Sequence, residues 1–75
     1  MHVYFNLVGP RDTIPDVQGI EVADVGQAQR EAERAIAEFL REEPPPSENI
    51  SLWRLEAVDI SGRLLFSINL DSVID

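Results

Sequence analysis

The sequence predicts an α+β fold: one amphipathic helix packed on one face of a mainly antiparallel sheet of three to four strands, in the order β-(β)-α-β-β. Three observations carry this expectation. Residues 3–8 are dense in aromatic and β-branched types. Apolar residues recur every three or four positions between Val25 and Leu40. Residues 51–70 form two alternating runs around Asp59-Ile60-Ser61-Gly62. Seventy-five residues make one domain, residues 1–75, with no room for a second.

The first strand places Val3, Phe5 and Leu7 on one face and Tyr4, Asn6 and Val8 on the other, and Gly9-Pro10 ends it. Residues 11–19 carry turn chemistry, with Asp16-Val17-Gln18-Gly19 reading as a four-residue turn. Ile20-Glu21-Val22 then reads as a short extended piece. Asp24 is a good N-cap, and Gln27 three residues on completes a capping-box pattern. Behind them Val25, Ala28, Ala32, Ala35, Ile36, Phe39 and Leu40 form one apolar stripe. Gln27, Arg30, Glu31, Arg34, Glu38 and Arg41 fall on the opposite side, where Arg34/Glu38, Glu31/Arg34 and Glu38/Arg41 each add a few tenths of a kcal/mol. Pro44-Pro45-Pro46 stops the helix, because proline cannot donate the next bond.

In the hairpin, Trp53, Leu55 and Ala57 share a face on one strand, and Leu64, Phe66 and Ile68 do so on the next. These six are expected to meet the helix with Val3, Phe5 and Leu7. Asp59-Ile60-Ser61-Gly62 reads as a type I turn closed by a glycine in the left-handed region. In the tail, Asp71 can cap one final turn. The opposite sheet face gathers Tyr4, Val8, Arg54, Val58, Leu65 and Ser67. Its apolar members Tyr4, Val8, Val58 and Leu65 are the candidate interface of a homodimer.

Composition narrows the function further. A domain of this size buries only about 60% of its unfolded surface and usually needs a disulfide, a metal or a partner. The chain has no cysteine and a single histidine, His2, near an end expected to fray, so self-association remains. The net charge is −8, from fourteen acids against six basic residues, all of them Arg. That sign works against binding nucleic acid or anionic lipid. It suits solubility or a basic partner. DNA mimicry would need acids along one surface, whereas the helix interleaves them with arginines. The first residues lack the pattern of a signal peptide, and no run approaches the roughly 20 apolar residues of a membrane span. The expectation is a cytoplasmic protein, in which the Asn49-Ile50-Ser51 sequon is a chance match.

No constellation rises to a catalytic or cofactor site. Asp16, Gly19, Glu21 and Asp24 form the densest polar cluster outside the helix, and a divalent cation is the chemistry such carboxylates suit. The spacing is not that of a calcium loop, and Asp16 and Asp24 already serve as turn and cap residues. No serine lies in a nucleophile elbow, and no glycines form a phosphate cradle. Trp53 and Tyr4 can stack on a ring, but Trp53 is in phase with Leu55 and reads as core. Arg54 and Arg63, with Glu56, read as cross-strand partners. Glu42 and Glu43 lie where the helix dipole disfavours anions, a weak pointer to a partner surface, and also belong to a Pro-rich loop.

Together these residues resemble a family of short alphaproteobacterial proteins catalogued only as a domain of unknown function. The resemblance rests on the aromatic opening Tyr4-Phe5-Asn6 and the Asp16, Gly19, Glu21 segment. It continues with Asp24, Ala28, Glu31 and Ala32 on the helix, then Trp53, Asp59 and Gly62 in the hairpin. The prolines at 44–46, and His2 where members often carry proline, depart from it. The resemblance implies the fold and a bacterial cytoplasmic setting; it implies no activity and assigns no site residue. The function expected is therefore a non-enzymatic protein-interaction module without cofactor. Its rival is a ligand- or metal-binding regulatory protein using the acidic segment 16–24.

Overall fold

Strand β1 (His2–Val8) lies inside the sheet, because both of its edges find partners. On one edge it pairs antiparallel with β4 (Arg54–Asp59), from Val3↔Asp59 to Val8↔Arg54. The other edge is shared by two two-residue strands. β2 (Thr13–Ile14) meets Leu7 and Val8, and β3 (Ile20–Glu21) meets His2 and Val3. β5 (Leu64–Asn69) follows β4, giving the order β2-β1-β4-β5 with β3 beside β1. The computed structural model describes residues 1–42 and 52–73. Glu43, the prolines at 44–46, the sequon at Asn49 and the expected strand start at Ser51 lie outside the described residues.

The class is the α+β fold expected, with one helix and an antiparallel sheet, and the strand count reaches five because of β2. Two residues carry no readable period, and Pro15 and Asp16 behind them read as turn. Gly9 N donates to Asp12 O at 2.7 Å, which closes the β1–β2 turn.

Helix α1 (Val25–Glu42) starts as its cap residues dictate. Gln27 N donates to Asp24 Oδ1 at 2.8 Å. The return bond runs from Ala23 N to Gln27 Oε1 at 2.7 Å, one residue earlier than the simplest capping box. Ala28, Ala32 and Ile36 are buried against Val3, Leu55 and Ala57, with Phe39 and Leu40 packed around them. The three buried alanines of helix and sheet carry one methyl each, so the helix backbone lies close to the strands. Val25, expected in the stripe, is 40% exposed, because it opens the first turn beyond the sheet contact. Arg34 reaches Glu31 at 3.8 Å on the solvent side. Val22, Trp53 and Leu70 complete the core, Leu70 leading a 3₁₀ turn (Leu70–Val73) at the place expected for a final turn near Asp71. Among the described residues no side chain in the core is polar by type, and no helix is long and apolar enough to cross a membrane.

The hairpin turn is as the sequence implies. Gly62 N donates to Asp59 O at 2.9 Å, and Gly62 takes φ +88°. Asp59 Oδ1 accepts from Ser61 N, Ser61 Oγ and Arg63 N. Strand β5 differs from simple alternation. Ala57 faces Phe66 whereas Val58 faces Leu64, so Leu65 is an extra, bulged residue. Leu64, expected in the core, is therefore on the outer face and 54% exposed. Leu65, expected on the outer face, packs against the core beside Phe66. Arg54 Nε bonds Glu56 Oε2 at 2.9 Å along its own strand, and Arg54 stands opposite Asn69, at the far end of the hairpin from Arg63.

Candidate functional site

Two regions of the outer side gather polar or apolar groups. The first is built by the loop between β2 and β3. Asp16 anchors it: its Oδ2 accepts from Phe5 N at 3.1 Å, and its Oδ1 from Gln18 N and Gly19 N at 3.2 and 3.0 Å. Asn6 Oδ1 accepts from Asp16 N at 2.9 Å. Burial pushes the Asp16 carboxyl up, but the three main-chain donors outweigh it and hold the group below the ordinary aspartate value. Gly19 takes φ +69°, and a Cβ there would lie 2.7 Å from Val3 O and His2 Nε2, so glycine is required on both counts.

His2 crosses this loop. Nδ1 is 2.7 Å from Glu21 Oε1, and Nε2 is 2.9 Å from the Gln18 carbonyl. Both neighbours are acceptors, and only the imidazolium can donate to both. The Gln18 carbonyl and then the Glu21 carboxylate accordingly raise the His2 pKa above its ordinary value. Tyr4 meets its ring edge-on at 5.0 Å. The terminus expected to fray is tied instead: Met1 N donates to Val22 O at 2.7 Å and Val22 N to Met1 O at 2.9 Å. Sequence reasoning missed this network because its partners lie sixteen to twenty-one positions away, beyond any local pattern.

Chemically the cluster is spent on structure. With both nitrogens facing acceptors, His2 offers no lone pair to a substrate proton or a metal. Among the described residues no group of three His, Asp or Glu side chains converges to hold a metal ion. Asp16 grips main-chain amides, Glu21 faces His2, and Asp24 caps the helix.

The second region is the face of the sheet away from α1. Of the expected interface residues, Tyr4 and Val58 are direct cross-strand neighbours, and Leu64 extends them into one row over three strands. Val8 is removed from them, beside Arg54 and Thr13 at the other end of β1. Leu65 leaves the set for the core. Between the two ends lie Asn6, Glu56 and Ser67. The face is thus a short apolar row bordered by polar residues.

The sequence model of a family described as a domain of unknown function (DUF6894) matches residues 2–71. No curated protein and no solved structure matches the chain.

Proposed function

Belonging to that DUF6894 family, whose function is unknown, the chain has only its own residues to speak for it, and we propose that it is a non-enzymatic protein-interaction module acting as a homodimer in the bacterial cytoplasm. One observation carries the reading: among the described residues, each side chain with a clearly shifted proton affinity, His2, Asp16 and Asp59, is engaged in fastening a loop or a turn. Shifted acids and bases mark catalytic sites when they face a cleft. Here they face their own backbone. What the molecule offers outward is surface: the Tyr4–Val58–Leu64 row for a protein partner, and acid-rich loops that suit basic neighbours better than nucleic acid or anionic lipid. The cysteine-free composition is in keeping with a reducing compartment.

The test is the solution mass by light scattering over a hundredfold dilution. A mass of twice the 8.4 kDa chain is expected. A monomer at every concentration overturns the homodimer.

A further inference from the structure

Residues 18–21 run between two anchors. On one side Asp16 accepts from Phe5 N at 3.1 Å and donates to Asn6 Oδ1 at 2.9 Å. On the other, Val22 is buried and exchanges both main-chain bonds with Met1. Bonded and non-bonded pairs alternate in an antiparallel ladder, so Val3 and Ile20 form the next bonded pair. Between the anchors it is His2 that straps the segment to the sheet, from Gln18 O at 2.9 Å to Glu21 Oε1 at 2.7 Å. Gly19 is held so close that a Cβ there would stand 3.0 Å from Tyr4 Cδ1. Tyr4 is one end of the outer row Tyr4–Val58–Leu64, so the strapped segment lies against the surface read above as a partner site.

From this we propose that His2 is a latch: protonated, it holds residues 18–21 against Tyr4, and on losing its proton it releases them and uncovers that end of the row. The proposal gives the partner surface a control, and rests on that reading only for what the uncovering serves.

The geometry sets the sign. A neutral imidazole has one N–H, so either the Gln18 carbonyl or the Glu21 carboxylate then faces a ring lone pair. Acceptor meets acceptor in both tautomers, and moving the segment away relieves it. The charges around the ring act in the same direction: Glu21 on β3 and Asp16 in the loop both favour the imidazolium. The Met1 ammonium, 3.8 Å from the other Glu21 oxygen, competes for that carboxylate, and the Tyr4 ring at 5.0 Å completes the surroundings. A proton shifts the opening equilibrium only by its difference in affinity for the two states, tenfold for each unit of pKa between them.

The test is amide hydrogen exchange followed by NMR from mildly acidic to mildly alkaline pH, each rate corrected for the intrinsic effect of hydroxide. The Ile20 amide is expected to lose protection as the His2 ring titrates, roughly tenfold per unit by which the ring midpoint exceeds 6.5. It is also expected to stay less protected than Ile36 in the helix, the mark of a local opening. Equal protection of the two at every pH means that the segment opens only with the whole fold, and overturns the latch. In His2→Gln the pH dependence at Ile20 is expected to vanish. If it persists, the Met1 ammonium or a carboxylate controls the segment and the proposal falls. Gly19→Ala sets a Cβ 2.7 Å from Val3 O and His2 Nε2, which wedges the segment open at any pH. With Ile36 still protected, the His2 midpoint is then expected to return to 6.5. The nuclear Overhauser contact between position 19 and the Tyr4 ring, present in the wild type at low pH, is expected to disappear. A contact that stays overturns the uncovering. None of these readings needs a second copy, so a wild type that is monomeric at every concentration overturns the homodimer alone.

Discussion

His2 is the residue whose surroundings make the sharpest demand. Protonated, it donates to Gln18 O and Glu21 Oε1; neutral, it leaves one acceptor unmet. Its folded pKa is raised above 6.5, so its contribution to stability is fully present below that value and is lost as pH rises through the folded pKa. Asp16 and Asp59 act in the opposite sense. Their folded values lie below 3.8, so their contribution is present above it and fades as acid is added. The melting temperature is therefore expected to fall on the alkaline side of 6.5, and His2→Gln to flatten that limb while sparing the acid limb. Proton NMR of the single imidazole, with midpoint above 6.5, reads the same event directly. A midpoint at or below 6.5 would show that the clamp is not closed in solution. None of this was legible in the sequence, where a histidine at position 2 reads as a loose end.

At the scale of elements, legibility followed the range of the interactions. The helix start and the Asp59–Gly62 turn are specified by residues within four positions of each other, and both formed where the local chemistry put them. The Gly62 position yields a clean prediction, because a Cβ there meets nothing within 4 Å and only its φ of +88° opposes a side chain. Gly62→Val is expected to cost about 1–3 kcal/mol in thermal denaturation, and Gly62→Asn clearly less, since asparagine tolerates the left-handed region. Equal losses would mean that the turn adopts another form. The Leu65 bulge was not legible, because counting alternate residues assumes a flush register and one inserted residue exchanges the two faces beyond it. The same count placed Trp53, Leu55 and Ala57 correctly in the core, because β4 pairs with β1 without such a step.

At the scale of the whole molecule, one thin core between helix and sheet carries the fold, and Trp53 closes one end of it. Trp53 is 7% exposed, and its indole lies against Gly9, where an added Cβ would stand 2.7 Å from the ring. It is the largest side chain among the buried core residues. Trp53→Ala is expected to cost roughly 3–5 kcal/mol, a large share of what a domain this small possesses, and urea denaturation measures it. A loss under 1 kcal/mol would place the ring outside the core. The inner position of β1 has a further consequence, for synthesis. β1 leaves the ribosome well before its long partner β4, which begins only at Arg54. Until that segment emerges, β1 has only the two-residue strands to pair with and α1 only an incomplete sheet to pack on, so the sheet closes in one late step and a nascent chain interrupted before the hairpin presents an unfinished apolar surface to whatever chaperones stand at the exit.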